Sequence, residues 1–227
     1  MPAPINTASA VARISPITNR SGSLAPLTTP PDSPGPLFAR LRAFLTPLIA
    51  RVVEQQLTQD VVPLRGPFSE ERQRWLGLEL MRRLGFDFGR GRLDTSHHPF
   101  CAGVPSDVRI TTPYNADDCT SSMMSVIHET GHAKYEQNLP AAWRGQPVGN
   151  ARGMIIHEGK SLFFEMQLGR SRAFVNVLAP LLAQAFPAEG REVFAPENLF
   201  KKLTRVEPGL IRVGADEVTF PRHMLLA

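Results

Sequence analysis

Two histidines four positions apart, with a glutamate directly after the first, are the strongest chemical signal in this sequence. On a helix, the string His128-Glu129-Thr130-Gly131-His132 places both imidazoles on one face, where they can bind the same ion. Glu129 points to the side, where its carboxylate can act as a general base on a water molecule. This spacing is typical of zinc hydrolases, which add a third protein ligand and keep one position open. The alternative is an ordinary solvated helix face that carries polar residues.

A third ligand is expected on the next helix along the chain, where Glu158 is the candidate. The stretch between His128 and Glu158 is long enough for the rest of one helix, a loop and a second helix that runs antiparallel to the first. The apolar neighbours of Glu158 are expected to bury its helix: Met154, Ile155 and Leu162. A buried carboxylate needs a cation or hydrogen-bond donors. The alternative for Glu158 is a salt bridge, to Arg152 or Lys160.

Four motifs follow one another along the chain. They are Asp107-Val108-Arg109-Ile110-Thr111, the decapeptide from His128 to Gln137, His157-Glu158-Gly159-Lys160-Ser161, and Ile211-Arg212-Val213 with Ala215-Asp216-Glu217. In this order they resemble the DxRxT motif, the active-site helix, the HES/GQ-type motif and the I/R/AD/E motif of the carboxypeptidase Taq family of thermostable HExxH metallocarboxypeptidases. The stretch 66–103 is also similar to that family.

The resemblance implies a mainly α, helical groove-type HExxH metallopeptidase fold with a small β-sheet, incomplete at both ends. It implies release of single C-terminal amino acids with broad specificity from peptide substrates with a free C-terminus. One divalent metal ion per chain, zinc or cobalt, would bind to His128, His132 and Glu158, with Glu129 as the catalytic base. A homodimer is also implied. An HExxH endo- or oligopeptidase is a second enzyme hypothesis, which product analysis would distinguish.

Two arginines inside the matched motifs are candidates for substrate binding. A carboxypeptidase must bind a free α-carboxylate, which the guanidinium group recognises through two parallel hydrogen bonds. Arg109 and Arg212 are the candidates for this role. The alternative is a structural ion pair with Asp107, Asp216 or Glu217. Asp216 and Glu217 are also candidates for accepting the outer ring N–H of a metal-binding histidine.

The sequence departs from the family pattern in two places. The family's final GxxQDxHW motif is absent before Ala227, and the start of the chain, 1–36, does not resemble the family's helical N-terminal region. We therefore expect a fragment or a truncated member, weak or inactive as an isolated chain. The alternative function is that of a catalytically weak or inactive metal-binding paralogue, which acts by dimerisation or by peptide binding.

The composition limits the classes of protein to consider. Hydrophobic residues make up 42% of the 227 residues, enough for a sizeable core, and the formal net charge is +4 without a run of Lys or Arg. No nucleic-acid partner is therefore expected. No stretch reaches the roughly 18 apolar residues of a membrane helix, so no membrane partner is expected either. The two cysteines form no disulfide framework, which favours a reducing compartment, the cytoplasm.

Residues 1–36 differ in composition from the rest of the chain. They contain eight of the 21 prolines, and their first acidic residue is Asp32. Such a segment cannot bury enough apolar surface to offset its ordering entropy, so we expect it to be disordered, and residues 37–227 to form a partial metallocarboxypeptidase catalytic domain. Periodicity, caps and breakers predict helices over 37–57, 69–85, 117–139, 154–169, 174–186 and 196–205, and a strand over 107–111.

Overall fold

The computed structural model describes residues 35–187, 190, 192–210 and 215–225. The described residues are mainly helical and include a three-stranded sheet, as the sequence predicts. The helices are α1 (Gly35–Gln56), α2 (Glu70–Arg83), α3 (Cys119–Gln137), α4 (Met154–Leu162), α5 (Arg172–Ala185), α6 (Pro196–Leu203) and α7 (Phe220–Met224). The strands are β1 (Gly91–Thr95), β2 (Phe100–Val104) and β3 (Asp107–Thr112).

The chain divides into two compact units. The larger unit comprises residues 59–205, and the smaller one combines the residues up to 58 with those from 206 onward. The segment expected to be disordered, 1–36, lies outside the described residues except for Gly35 and Pro36, which begin α1. A single partial domain over 37–227 stays a prediction.

The sheet of the larger unit has the strand order β1-β3-β2. β1 runs parallel to β3 and β2 runs antiparallel to it, so that Leu93 and Cys101 both lie opposite Ile110. Only β3 was predicted from the sequence, because it alone combines β-branched residues with several buried positions. β1 has one buried residue and β2 has none, so the sequences of these two edge strands carry no clear alternation.

Helix α3 takes part in both hydrophobic clusters of the larger unit. Its Val126 and Ala133 pack with sheet residues such as Val108. Its Met123 and Ile127 belong to the second cluster, to which α2 and α5 contribute: Leu76, Leu80, Leu178 and Leu182. The helix that carries His128 and His132 is therefore held on two sides by packed apolar side chains.

Helix α4 differs from its prediction in shape and in burial. Its α-helical part ends at Leu162, and the chain continues as a π-helix over Phe163–Gly169. The expectation that apolar neighbours bury this helix is wrong for two of the three, because Met154 and Ile155 are 73% and 88% exposed, while Leu162 is half-buried. Ser161 is fully buried instead, because this side of α4 packs closely on α3.

The smaller unit is held by side-chain contacts to the backbone. The buried amide of Gln56, at the end of α1, donates to the carbonyl of Val206 over 3.0 Å and accepts from its N–H over 2.7 Å. The Asp216 carboxylate accepts hydrogen bonds from the N–H groups of Glu207 and Thr219.

In the part of the chain that the structure describes, no helix has the length and apolar character needed to cross a membrane.

Candidate metal centre

Helix α3 presents His128 and His132 on one face, one turn apart. The helix begins after Asp118, whose carboxylate accepts a hydrogen bond from the N–H of Thr120 over 2.8 Å. The two imidazole rings meet edge to face, with their centroids 5.0 Å apart. His132 is buried and His128 is half-buried, so this face of the helix is not the solvated polar surface of the alternative interpretation.

Helix α4 brings Glu158 to the same place. One carboxylate oxygen of Glu158 lies 3.8 Å from Nε2 of His128, and the other lies 3.5 Å from Nε2 of His132. One ligand atom from each of the three residues lies within 4.8 Å of the others. Two imidazole nitrogens and one carboxylate oxygen are a donor set that suits zinc and similar divalent ions. The group could therefore hold a metal ion, and the carboxylate faces the two histidines rather than Arg152 or Lys160.

The outer nitrogen of His128 is held by a carboxylate that the sequence analysis did not single out. Nδ1 of His128 lies 2.8 Å from a carboxylate oxygen of Glu165, and the other oxygen of Glu165 accepts from Nη2 of Arg170 over 3.2 Å. Glu165 is the one charged residue of the segment Phe163–Gly169. A single acid in an otherwise uncharged stretch was the signal available in the sequence.

The outer nitrogen of His132 contacts a third histidine, which was also missed. Nδ1 of His132 lies 2.5 Å from Nδ1 of His157, and Nε2 of His157 lies 2.8 Å from a carboxylate oxygen of Glu136. His157 directly precedes Glu158, so one turn of α4 supplies both a ligand candidate and a group that supports a ligand. Its position within the HES/GQ-type motif was the available signal.

The site shifts the pKa values of its titratable groups in opposite directions. Burial, together with the charges of His128 and His157, lowers the pKa of His132 to about 4. Burial also lowers the pKa of His128, but the hydrogen bond to Glu165 and the nearby carboxylates outweigh it, so the net shift is upward. The pKa of Glu129 is raised to about 7, chiefly by burial; the charge of His128 opposes this rise, and the charges of Glu158 and Glu165 add to it.

Glu129 lies on α3 beside the histidine pair and is buried. Among the described residues, no hydrogen-bond partner of its carboxylate is found. The carboxylate oxygens of Glu129 are not among the fully buried polar atoms without a partner, so they keep some contact with solvent. The surroundings of Glu129 therefore suit a group that exchanges a proton with a bound molecule.

Of the two arginine candidates, only Arg109 belongs to the described residues, and no described contact brings it to this group. Arg109 lies on the exposed side of β3 and forms an ion pair with Asp107 in which Nη2 and Oδ2 are 2.7 Å apart, as the alternative interpretation expected. Arg212 lies outside the described residues. Asp216 was a candidate for accepting the outer ring N–H of a metal-binding histidine. Its carboxylate instead accepts hydrogen bonds from the backbone around it. The outer ring nitrogen of His128 contacts Glu165.

Comparisons with known proteins identify what the chain is similar to. Residues 33–227 match the family described as carboxypeptidase Taq (M32) metallopeptidase. The chain is 39% identical over 192 residues to thermostable carboxypeptidase 1 of Thermus thermophilus, covering 84% of this chain and 37% of that protein. It is 35% identical over 191 residues to carboxypeptidase 1 of Bacillus subtilis, covering 84% of this chain and 38% of that protein. It thus spans less than two fifths of the length of these curated relatives.

Solved structures give the same relationship. The metallocarboxypeptidase 1 of Trypanosoma cruzi superposes with a TM-score of 0.80 at 45% identity, over 85% of this chain and 38% of that one. The M32 carboxypeptidase of Deinococcus radiodurans R1 gives a TM-score of 0.78 at 36% identity, over 87% of this chain and 40% of that one. Since the family match also extends over most of the sequence, the chain belongs to the carboxypeptidase Taq (M32) family of metallopeptidases.

Proposed function

We propose that this chain provides the metal centre of a metal-dependent carboxypeptidase, which releases single C-terminal amino acids with broad specificity from peptides with a free C-terminus. The observation that carries the proposal is the convergence of His128, His132 and Glu158, with ligand atoms within 4.8 Å of one another. The reaction and the substrate class come from the family and from relatives that are themselves named carboxypeptidases.

In this proposal the three residues hold one divalent ion per chain, zinc or cobalt. A bound ion would supply Lewis acidity, which lowers the pKa of a water ligand and polarises the carbonyl of the scissile bond. Glu165 fixes the ring of His128 through its outer nitrogen, so that Nε2 stays directed towards Glu158.

Glu129 is proposed as the general base, which takes the proton of the attacking water and passes it to the leaving amine. Because burial raises its pKa to about 7, its carboxylate can gain and lose a proton near neutral pH. Arg109 and Arg212 are proposed to bind the α-carboxylate of the substrate. For Arg109 this requires its guanidinium group to exchange Asp107 for the substrate, which is feasible because both side chains are exposed.

The test begins with purified protein loaded with zinc or cobalt. Elemental analysis should find one ion per chain, and an N-blocked dipeptide with a free C-terminus should be cleaved. The same dipeptide with an amidated C-terminus is the matched control and should not be cleaved. On a longer peptide, mass spectrometry should show successive loss of single C-terminal residues. Internal cuts would instead indicate an endo- or oligopeptidase.

The second proposed function is a catalytically weak or inactive metal-binding paralogue that acts by dimerisation or peptide binding. It is supported by the convergence of His128, His132 and Glu158, since that group can account for metal binding whether or not the chain catalyses a reaction. Stoichiometric metal without cleavage of the dipeptide, combined with measurable peptide binding, would favour it over the carboxypeptidase. We further propose a cytoplasmic homodimer, and light scattering of the metal-loaded chain tests the dimer directly.

A further inference from the structure

A chain of three side chains leads away from the metal-ligand candidate His132. Its ring contacts the ring of His157, with the two Nδ1 atoms 2.5 Å apart, and Nε2 of His157 lies 2.8 Å from Oε1 of Glu136. The three side chains are only 10%, 16% and 19% exposed. Water is therefore largely excluded, and each polar atom depends on the next for its hydrogen bond.

Only one arrangement of protons satisfies both hydrogen bonds when His132 binds a metal through Nε2. Neutral His132 then carries its proton on Nδ1 and donates it to His157. Nδ1 of His157 must accept, so the proton of His157 lies on Nε2. From there it is donated to the carboxylate of Glu136, which accepts only.

The ring of His157 is also restrained from a second direction. Tyr135 packs edge to face on it, with the centroids 5.3 Å apart and the planes at 84°. The hydroxyl oxygen of Tyr135 accepts a hydrogen bond from the N–H of Arg152 over 3.0 Å, which fixes the phenol ring in turn. The orientation of His157 is thus restrained before any ion binds, and its tautomer is fixed once His132 binds an ion through Nε2.

We propose that His157 and Glu136 are positioning residues for the metal site: Glu136 sets the tautomer of His157, and His157 holds His132 with its Nε2 lone pair towards Glu158. This inference rests on the proposed metal site. The two histidine ligands are then supported differently, because a carboxylate contacts His128 directly but reaches His132 only through a second imidazole.

The first measurement is the affinity for Co²⁺ and Zn²⁺, by competition with a chelator, with folding checked by circular dichroism. His157→Ala leaves the Nδ1 proton of His132 without an acceptor and should raise Kd by about 10- to 100-fold. His157→Asn, whose side-chain oxygen can accept at the position of Nδ1, should recover a large part of this loss. Glu71→Gln, on the exposed side of α2, is the control and should bind as wild type does.

The second measurement is long-range ¹⁵N NMR of the zinc-loaded wild-type protein, which needs no variant to fold. His157 should be protonated on Nε2 and unprotonated on Nδ1, and Glu136→Gln should weaken that preference. A proton on Nδ1 of His157, or a His157→Ala Kd within twofold of wild type, would overturn the inference while leaving the metal site intact. Wild-type protein that binds no ion would overturn the proposed metal site itself and this inference with it.

Discussion

A side chain at Gly131 would collide with the backbone of Ser161. A Cβ atom built on Gly131 would lie 2.7 Å from Cα of Ser161 and 2.9 Å from the carbonyl oxygen of Lys160. Helices α3 and α4 therefore touch at the turn that carries His128 and His132, and the absence of a side chain at Gly131 sets how close Glu158 comes to them. The middle of the HExxH string thus has a structural role besides the chemistry of its ends.

Replacing Gly131 by alanine should push α4 away from α3. We expect a loss of about 1–3 kcal/mol in the free energy of unfolding, as for overpacking of an interior site, and a larger Kd for Co²⁺. Gly159→Ala on α4 is the matched control, because nothing lies within 4 Å of its added methyl group. It should preserve binding and leave stability equal or higher, since alanine favours helix. Equal Kd values for the two variants, measured by chelator competition, would contradict the close-contact explanation.

Removing one imidazole should empty the metal site. His132→Ala takes away a nitrogen ligand and leaves two ligands on different helices, so elemental analysis after dialysis should find no stoichiometric ion. His98→Ala is the control, because this exposed histidine belongs to no ligand group among the described residues. Full retention of metal by His132→Ala would show that the assigned ligands are wrong.

Glu129→Gln separates metal binding from catalysis. The amide preserves the shape of the side chain but cannot take a proton, so turnover of the blocked dipeptide should fall by about 10²- to 10⁴-fold while the metal content stays at one ion per chain. Glu71→Gln should change neither quantity. If Glu129→Gln loses the ion, Glu129 supports the site structurally or acts as a ligand, and the role of general base is refuted.

The thiol of Cys101 should make the protein sensitive to alkaline pH. Burial, followed by the charges of Glu129 and Glu136, raises its pKa from 9.0 to about 12. A group whose pKa is raised by folding contributes its full stabilisation at pH values below its pKa in the unfolded chain. This contribution is lost as the pH rises towards 12, the pKa in the folded protein. The free energy of unfolding from urea titrations should therefore fall between about pH 9 and 12, and fall less steeply in Cys101→Ala. Identical slopes would contradict the prediction.

The same thiol should react slowly near neutral pH. With a pKa of about 12, the thiolate fraction of Cys101 at pH 8 is on the order of 10⁻⁴, so alkylation by iodoacetamide should be far slower than for an exposed cysteine. Mass spectrometry of the native and the urea-unfolded protein provides the comparison. Rapid alkylation of Cys101 in the native protein would show that the thiol is accessible and ionised.

The elements that sequence reasoning predicted are those whose own residues determine them. The Ser69 cap, the first-turn acids of α2 and Gly85 at φ +82° mark the ends of that helix locally. β1 and β2 form only because β3 lies between them, and no local signal in their sequences reports this. The proximity of His128 and His132 could be predicted because the helical repeat brings residues four apart together. Their role as metal ligands stays a prediction.

The supporting groups could not be predicted in the same way. Glu165 lies near His128 only after α4 has packed on α3 and continued as a π-helix. The prediction that α4 is buried through Met154 and Ile155 was wrong for a related reason: the apolar character of two residues does not show which side of a helix meets its neighbour. Both depend on tertiary packing, which a single sequence does not specify locally.

The contrast between the two ligand-bearing helices has a kinetic consequence. The two histidines lie on α3, which is packed on two sides, whereas Glu158 lies on a helix whose first turn exposes Met154 and Ile155 to water. Local opening is cheapest where few apolar contacts must be broken, so α4 should fluctuate open long before α3. Each such excursion would withdraw the ligand candidate Glu158 and leave the two histidines in place. We therefore expect the lifetime of an ion bound at this site to follow the opening rate of α4, and to change without any change in global stability.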